Sequence, residues 1–337
     1  MLENHSQSSV IDDANAPYIT SLAHGYGMAS NYYGVTHPSE PNYVAAISGS
    51  NWFINDDDPS HRYDHTNLVD QLESHHRTWA AYMESMPSAG FLGDQYPATA
   101  ALYVSKHDPF VLMSDIRNNP VRLSRVKPYT QFAADMKSRH IPSFVWISPN
   151  QCNDMHGGVF APVATDGSDG TPCPFGSAKD DPNDAALKAK ADAFVKGAVS
   201  AIMHSSAWHE NSAIFIVTDE NDFVGANLPV NDGWESAAGC CDSPILPDGY
   251  KFLNSHSLPD GNVWHGVSDG NGGTTFVYGG GLIPAIVVRP HGLHGFVSDN
   301  PYNHYSLLRT VEWAWGLGYL GNASDSAQVQ AMTEFLH

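Results

Sequence analysis

The apolar run at residues 213–218 is the feature that most constrains the fold of this chain. It reads Ala-Ile-Phe-Ile-Val-Thr, with no polar alternation, and therefore predicts a strand that is buried on both faces. The runs at residues 143–148 and 282–288 are similar, and Pro284 fits near the start or at the edge of a strand. Buried strands of this kind are typical of sheets that helices cover on both sides.

Four segments carry apolar residues at helical spacing. In residues 66–86 these residues run from Leu68 to Met83, and Thr66 is placed to cap the start of the helix. Strands that alternate with helices predict an α/β sandwich with a mostly parallel sheet. The other three predicted helices are residues 128–139, 184–204 and 303–315.

The length and composition of the chain predict one large domain. Its 337 residues, of which 42% are hydrophobic, are enough to bury a sizeable core. We therefore expect a single domain over residues 1–337, with a long, Gly-rich and irregular insertion around residues 225–278 that covers the site. No apolar run reaches the length of a membrane helix, so no transmembrane segment is expected.

The charge of the chain limits the classes of ligand. Its formal net charge is −20 at pH 7, and such a surface repels a phosphate backbone, so we expect no nucleic-acid partner. A small anionic substrate still binds to an acidic protein if a metal ion supplies local positive charge.

The four cysteines suggest an oxidising compartment. Cys152 and Cys173 flank a loop rich in Gly and Pro and predict a disulfide, whereas Cys240 and Cys241 are adjacent, and each could bridge elsewhere or stay free. An even cysteine count and a low lysine content predict a secreted or periplasmic protein. No signal peptide is visible after Met1, so we expect that an upstream segment was removed or was never recorded.

Ser39 is the candidate nucleophile. It lies between Pro38 and Pro41, which restrict the backbone, and a nucleophile in a fixed position loses less entropy in the reaction. The alternative is a proline-rich turn in which the serine only caps a helix. Ser48 and Ser50 are weaker candidates because they resemble the boundary of a strand or helix.

Asp219 and Glu220 are the candidate metal ligands. They follow the predicted strand at residues 213–218 directly, and sites in parallel sheets gather at the carboxyl ends of strands. Two adjacent acids repel each other unless a cation or a helix N-terminus compensates their charge. The alternative is an exposed turn before a helix.

Further polar residues follow predicted strands or open predicted helices. Asp154 and His156 follow the strand at residues 143–148 and could orient substrate or transfer a proton, although a simple turn is an equal alternative. Lys106 and His107 could bind phosphate oxygens, or belong to a salt-bridged loop. His304 opens the last predicted helix, whose amides favour an anion, unless this segment only caps the helix.

Six short motifs occur along the chain in one order. They are Glu-Asn-His-Ser at 3–6, His-Pro-Ser-x-Pro-Asn-Tyr at 37–43, Lys-His-x-Pro-Phe at 106–110, Pro-Asn-x-x-Asn-Asp-Met-His at 149–156, Asp-Glu at 219–220 and Tyr-Asn-His-Tyr-Ser at 302–306. With these motifs the chain resembles the phosphoesterase family of bacterial and fungal acid phosphatases and phospholipase C-like enzymes, which is related to the alkaline phosphatase superfamily. The resemblance implies a three-layer α/β/α sandwich with an alkaline-phosphatase-like core.

The resemblance also implies a metal-dependent hydrolase of phosphoric esters. The ligands are mainly oxygens, which favour Ca, Mg or Mn, although Zn stays possible. The family usually has an apolar strand before the Glu-Asn pair, and without it we expect these two residues to be loosely held. The implied metal ligands are Glu3, Asn4, Ser39, Asp219 and Glu220.

The same resemblance implies roles in the reaction. Ser39 would attack phosphorus and form a phosphoserine, and His37 or His156 would protonate the leaving alkoxide. His304 would hold phosphate oxygens together with the substrate-binding residues. The substrate-binding residues would be Asn42, Lys106, His107 and Asp154.

Three functions compete on this reading. The first is an acid phosphatase acting on small phosphate monoesters. The second is a phospholipase C-like phosphodiesterase that takes a phospholipid head group and uses aromatic residues of the insertion. The third is a non-catalytic, metal-stabilised binding protein. The aromatic residues in question are Trp234, Tyr250, Phe252 and Trp264.

Overall fold

A computed structural model describes most of the chain. The described residues are 1–54, 56–138, 140–160, 171–176, 181–222, 238–243, 251–257, 263–268, 274–275, 279–291 and 294–336.

The described strands are short, and most belong to the centre of the molecule. In chain order they are β1 (Gly27–Tyr33), β2 (Trp79–Met83), β3 (Gln95–Tyr96), β4 (Tyr103–Val104), β5 (Val126–Pro128), β6 (Phe144–Ser148), β7 (Ile214–Val217), β8 (Lys251–Ser257), β9 (Val263–Ser268), β10 (Thr274–Thr275), β11 (Ala285–Val288) and β12 (Phe296–Asn303).

The described helices range from a single turn to 22 residues. They are α1 (Gln7–Val10), α2 (Pro17–Gly25), α3 (Ser39–Ser48), α4 (Leu68–Ser74), α5 (Pro109–Leu112), α6 (Ser114–Arg117), α7 (Pro120–Leu123), α8 (Phe132–Met136), α9 (Pro182–Met203) and α10 (His304–Trp315). Short 3-10 helices cover Ser105–His107, Tyr129–Gln131, Gly321–Ser324 and Thr333–Phe335.

The central sheet is mostly parallel, as predicted. Strands β5, β2 and β6 pair in parallel in that order, and a second set has the order β12-β1-β11-β7, in which only β11 runs against its neighbours. Residues 1–2 join the two sets, because Met1 N donates to Ile147 O of β6 at 2.7 Å while Leu2 pairs in parallel with Thr218 after β7. The carboxyl ends of β6 and β7 therefore meet on either side of the segment that leads into Glu3.

Helices cover both faces of the sheet. In β2, Trp79, Ala81 and Met83 pack with α3, α4, α5 and α10, whereas Ala80 and Tyr82 pack with α8 and α9. Alternate side chains of a strand point to opposite faces, so the helices form two separate layers. This arrangement is the three-layer α/β/α sandwich that the sequence predicts.

The predicted helix at residues 66–86 is wrong over its second half. The helix ends at Ser74, and its cap is Asn67, whose side chain accepts from Val69 N, rather than Thr66. Trp79–Met83 forms strand β2, and all five of its residues are buried. A segment that is buried on every side has no polar face, so its period does not separate a strand from a helix.

Other predicted elements are confirmed with slightly different bounds. Residues 143–148 and 213–218 form β6 and β7, and residues 184–204 and 303–315 form α9 and α10. Strand β11 begins only at Ala285, directly after Pro284, which has no N–H to donate to a neighbouring strand. Residues 128–139 form a 3-10 turn and the short helix α8 in place of one longer helix.

Only part of the stretch at residues 225–278 lies within the described residues. Its described residues include the strands β10, β9 and β8, which form an antiparallel sheet in that order. Trp234 and Tyr250 lie outside the described residues, while Phe252 and Trp264 lie on β8 and β9. Within the described part of the chain, no helix has both the length and the apolar character of a membrane span.

Both pairs of cysteines form disulfides. The predicted bond between Cys152 and Cys173 is present, with a Cα–Cα distance of 5.5 Å. Cys240 and Cys241 are bonded to each other, which is a pairing that the sequence analysis did not consider.

Candidate active site

Three buried carboxylates meet at the carboxyl end of the central sheet. Asp219 and Glu220 follow β7, and Glu3 follows the two residues that join β6 to β7. All three residues are at most 3% exposed, and one ligand atom from each lies within 4.8 Å of the others. The prediction that Glu3 is loosely held is wrong, because this side chain is completely buried.

Burial and mutual repulsion disfavour the charged forms of these acids. Burial raises the pKa of Glu3 to about 8; the charge of Glu220 adds to the rise, while Lys106 opposes it. Burial also raises the pKa of Asp219 well above its usual range, and the charges of Glu3 and Glu220 raise it further. Three ionised carboxylates this close together need a compensating cation.

Ser39 points into this cluster. It is the first residue of α3 and only 1% exposed. Its Oγ lies 3.1 Å from Glu3 Oε2 and 3.1 Å from Glu220 Oε1, so its single proton has two carboxylate acceptors. His37 Nδ1 contacts the other oxygen of Glu220. The predicted nucleophile, one predicted proton donor and two predicted metal ligands are therefore neighbours in space.

The residues of this cluster fit a divalent cation. Asp219 Oδ1 accepts from the backbone N–H of Asn4 at 3.0 Å, but Asp219 Oδ2 is buried with no hydrogen-bond partner among the described residues. Hard cations prefer such oxygens. Asn4 has a left-handed backbone conformation, with φ 47°. The hydrogen bond from its backbone N–H to Asp219 holds it beside the carboxylate cluster.

His107 links Glu3 to Asp154. Its Nε2 lies 2.9 Å from Glu3 Oε1 and its Nδ1 lies 3.3 Å from Asp154 Oδ2. The ring stacks on Tyr43, with centroids 5.2 Å apart. Burial lowers the pKa of His107 and raises that of Asp154 to about 7. Both nitrogens of His107 thus face carboxylates, an arrangement that holds Glu3 in place.

Lys106 and His156 lie at the more accessible side of the site. Lys106 Nζ is 2.8 Å from Asp57 Oδ2 and 3.4 Å from His156 Nε2. Burial lowers the pKa of Lys106, but the charges of Glu3 and Asp57 outweigh burial and leave that pKa above its ordinary value. Burial lowers the pKa of His156 well below its usual range, and Lys106 lowers it further. The lysine is therefore charged and the histidine neutral.

Asn42 holds the loop before Ser39. Its Oδ1 accepts from the backbone N–H groups of Val35 and Thr36 at 2.7 and 3.1 Å. Its Nδ2 donates to the carbonyls of Thr36 and Pro38 at 2.7 and 3.0 Å. The sequence suggested that Asn42 binds substrate, but these four side-chain hydrogen bonds all go to the backbone of the loop.

His304 is likewise engaged with the protein. Its Nε2 lies 2.6 Å from the carbonyl oxygen of Asp219, and its Nδ1 lies 3.1 Å from the hydroxyl of Tyr32. Burial lowers the pKa of His304 to about 4. A neutral ring that donates to Asp219 O and accepts from Tyr32 holds the backbone at Asp219 in place, whereas the sequence suggested contact with phosphate oxygens.

Sequence reasoning missed two acids next to Ser39. Asp57 Oδ1 accepts from the backbone N–H of Glu40 at 2.9 Å, and its other oxygen bonds Lys106. Glu40 is buried, and its Oε1 accepts from the hydroxyl of Tyr63 at 2.8 Å. Asp57 lies in a run of three consecutive acids, and the run itself gives no signal of which one faces the site.

Curated relatives of this chain are named as phosphatases. It is 26% identical over 307 residues to a probable acid phosphatase of Kluyveromyces lactis, covering 89% of this chain and 54% of the relative. It is 32% identical over 160 residues to a phosphatidylinositol-3-phosphatase of Mycobacterium tuberculosis, covering 47% and 50% of the two chains. The chain thus spans about half the length of these relatives.

Solved structures share the fold at low sequence identity. The lipoteichoic acid synthase LtaP of Listeria monocytogenes has a TM-score of 0.53 at 10% identity, covering 100% of this chain and 74% of the other. Human ectonucleotide pyrophosphatase/phosphodiesterase 5 has a TM-score of 0.50 at 10% identity, covering 96% and 97%. At this identity the two likenesses show the fold alone, and that fold agrees with the predicted α/β/α sandwich.

A sequence model of the phosphoesterase family matches residues 5–168 and 176–318. This match includes Ser39, Asp219 and Glu220, and it spans most of the chain. The protein therefore belongs to the phosphoesterase family.

Proposed function

We propose that this protein hydrolyses phosphoric monoesters and that Ser39 is its nucleophile. The observation that carries the proposal is the position of Ser39 Oγ, 3.1 Å from a carboxylate oxygen of both Glu3 and Glu220 and at the first turn of α3. The names of the curated relatives support a phosphatase. A purely structural serine would not need two buried acids and the start of a helix around one hydroxyl.

The cofactor in this proposal is a divalent cation. Bound at this cluster, it would neutralise the carboxylates, lower the pKa of the serine hydroxyl and offset the charge of the phosphate. The oxygen ligands favour Ca, Mg or Mn, and Zn is a second choice because His107 and His156 lie close to Glu3. The residues that would hold the cation are Glu3, Asn4, Ser39, Asp219 and Glu220.

The residues of the chain have distinct tasks in the reaction. Ser39 Oγ attacks phosphorus while its proton passes to Glu220, and the bond from phosphorus to the leaving oxygen breaks as the phosphoserine forms. His37 contacts Glu220 and returns a proton to the leaving alkoxide. Lys106 offers positive charge to the phosphoryl oxygens.

The second half of the reaction adds water to the phosphoserine. His156 is neutral, and its Nε2 faces Lys106 at 3.4 Å, so it accepts a proton from the attacking water. The bond from phosphorus to Ser39 Oγ breaks as the water oxygen bonds to phosphorus, and the proton taken from water passes to Oγ as phosphate leaves. Asn42 and His304 act as positioning residues for Ser39 and Asp219.

The test is hydrolysis of p-nitrophenyl phosphate with and without a chelator. We expect chelation to abolish turnover, added metal to restore it, and Ser39→Ala to lower kcat at least about a thousandfold. Ser50→Ala is the matched control, because this buried hydroxyl accepts from Trp52 N at 2.9 Å outside the site. Equal activity of Ser39→Ala and Ser50→Ala would contradict the proposal.

A phosphodiesterase of the phospholipase C-like type is the second candidate. One observation favours it: Phe160 and Phe175 are 67% and 52% exposed, and Phe175 packs on His156 with ring centroids 5.4 Å apart. Exposed apolar rings beside a site suit a phospholipid head group or another second ester group. Faster turnover of bis-p-nitrophenyl phosphate than of p-nitrophenyl phosphate would favour this candidate.

We also propose that residues 1–337 form one phosphoesterase domain in a secreted or periplasmic protein. The two disulfides support an oxidising compartment. Thiol labelling of unfolded, unreduced protein tests the compartment, and we expect no reactive thiol. Labelling of all four cysteines would contradict it.

A further inference from the structure

We infer that Asp57 is an internal competitor of phosphate, because its carboxylate occupies two donors that a phosphoryl group on Ser39 needs. This inference rests on the proposed function, because it concerns the same site. It assigns to Asp57 control over how tightly the site holds the phosphate product and related oxyanions.

The two donors are the backbone amide of the residue after Ser39 and the ammonium group of a charged lysine. Asp57 Oδ1 accepts from Glu40 N at 2.9 Å, and Asp57 Oδ2 accepts from Lys106 Nζ at 2.8 Å. Glu40 is the residue after Ser39 in the first turn of α3. A carboxylate that bridges an amide and a cation in this way binds like two oxygens of a phosphate.

A phosphoryl group on Ser39 would lie beside the same donors. The N–H groups of a first helical turn have no partner within the helix and favour anions, and α3 is 10 residues long. The attacking oxygen belongs to the first residue of that turn. The oxygens of a phosphoryl group on Ser39 can therefore bind the Glu40 amide and Lys106 only if Asp57 releases these two donors.

The loop around Asp57 is tied to α3 by other contacts. Glu40 Oε1 accepts from Tyr63 OH and lies 2.8 Å from His61 Nδ1. These bonds keep residues 56–63 beside the helix without Asp57. Its carboxylate can thus be replaced while the loop stays in place.

Asp57 also lies on the accessible side of the pair. The side chains of Asp57 and Lys106 are 28% and 18% exposed, whereas Ser39 is 1% exposed. An anion that approaches Ser39 meets this pair first. The exchange of Asp57 for phosphate is therefore a step of binding, and its reversal is a step of product release.

The experiment measures inorganic phosphate on the metal-loaded protein by calorimetry and as an inhibitor of p-nitrophenyl phosphate hydrolysis. For Asp57→Asn we expect the Kd and the inhibition constant of phosphate to fall about tenfold, the effect of removing one charge-assisted competitor. The control is Asp58→Asn in the same loop, since Asp58 is exposed and its Oδ1 accepts from Ser60 N at 2.8 Å. We expect a change of at most about twofold there, because an exposed charge is screened.

The outcomes separate this inference from the proposed function. Phosphate binding that is unchanged or weaker in Asp57→Asn would overturn the inference, because Asp57 would then only hold Lys106 for the substrate. Tighter phosphate binding with no turnover in the wild type would support the inference and refute the esterase. If Asp57→Asn does not fold, Asp57→Ser must show the same tenfold tightening, and the inference is refuted if it does not.

Discussion

The carboxylates at residues 3, 219 and 220 oppose folding unless a cation is present. Burial raises the pKa of Glu3 and of Asp219, and the charges of neighbouring carboxylates raise it further. The proposed cation would offset this cost, because an ion held by all three carboxylates binds the folded chain better than the unfolded one. The proposal therefore predicts that metal binding and stability are coupled at single residues.

The substitution Asp219→Asn should uncouple metal binding from stability. In chelator we expect the variant to unfold at a higher temperature than the wild type, because one buried charge is gone. With added Mg²⁺, Mn²⁺ or Ca²⁺ the wild type should gain stability and the variant should gain little, since a ligand is lost. Thermal unfolding with and without metal measures both effects.

The matched control is Asp192→Asn on α9. Asp192 is also a buried acid, but its Oδ1 accepts from Ile19 N at 2.8 Å, away from the cluster. This variant should show the full metal-induced shift of the wild type. If the shift is lost in Asp192→Asn and kept in Asp219→Asn, the metal site is wrongly placed.

Among elements, the start of α3 determines the position of Ser39, the proposed nucleophile. The turn before this helix contains no regular structure, and the side chain of Asn42 supplies the bonds that a strand or helix would otherwise supply. The side chain of Asn42 therefore makes four of the hydrogen bonds that hold the loop. Loss of the amide should displace Ser39 even though Asn42 itself does not touch a carboxylate of the cluster.

Asn42→Ala should lower both stability and activity. Four hydrogen bonds are lost, and we expect the free energy of unfolding to fall by about 2–4 kcal/mol and kcat to fall by about a hundredfold. Asn119→Ala is the control: Asn119 caps α7 by accepting from Val121 N and Arg122 N. It should cost about 1 kcal/mol and leave kcat unchanged. Urea unfolding and kinetics distinguish the two, and an active Asn42→Ala would contradict the positioning role.

Regular elements with one clear pattern could be predicted from the sequence, and others could not. Strand β7 and helix α9 have an apolar run and an apolar stripe that identify them. The pattern of strand β2 does not distinguish a strand from a helix, because burial on all sides removes the alternation of polar and apolar residues. The pairing of β12 with β1 joins segments about 270 residues apart, which no local pattern reports.

The residues of the candidate site also fall into those that could be predicted from the sequence and those that could not. Ser39, Asp219 and Glu220 stand out because prolines and a buried strand flank them. Asp57 does not stand out, since its contact with Glu40 depends on a loop that returns to α3. The hydrogen-bond partners of His304 also could not be predicted, because Tyr32 and the Asp219 carbonyl are distant in sequence.

On the scale of the whole molecule, the site lies where the two sets of strands join. Residues 1–2 connect β6 to β7, and the acids follow at their carboxyl ends, which is the expected place for a site in a parallel sheet. Buried acids elsewhere also affect the molecule, because several are held with a raised pKa. Together, these raised pKa values make the free energy of unfolding depend on pH.

Glu312 on α10 is the clearest case away from the site. Burial raises its pKa to about 8 from an ordinary value of 4.5. Between these values the folded state holds a proton that the unfolded state releases, so stability falls as pH rises. Glu312→Gln should remove this loss and raise the free energy of unfolding at about pH 8 relative to about pH 5, by about 1.4 kcal/mol for each unit of the shift.

Urea unfolding at both pH values measures this difference. Glu334→Gln is the control, because hydrogen bonds from Ser298 and Tyr302 outweigh burial and lower the pKa of Glu334. That carboxylate is ionised in both states across this range, so its replacement should leave the pH difference unchanged. An unchanged pH difference in Glu312→Gln would contradict the account of α10.

The most direct test of the central claim is to trap the phosphoserine. The metal-loaded protein is mixed with p-nitrophenyl phosphate, quenched in acid within the first turnover, digested and analysed by mass spectrometry. We expect a phosphoryl group on the peptide that contains Ser39, and none in the Ser39→Ala variant. Steady turnover with no phosphoryl group on this peptide, or with one on another residue, would contradict Ser39 as the nucleophile.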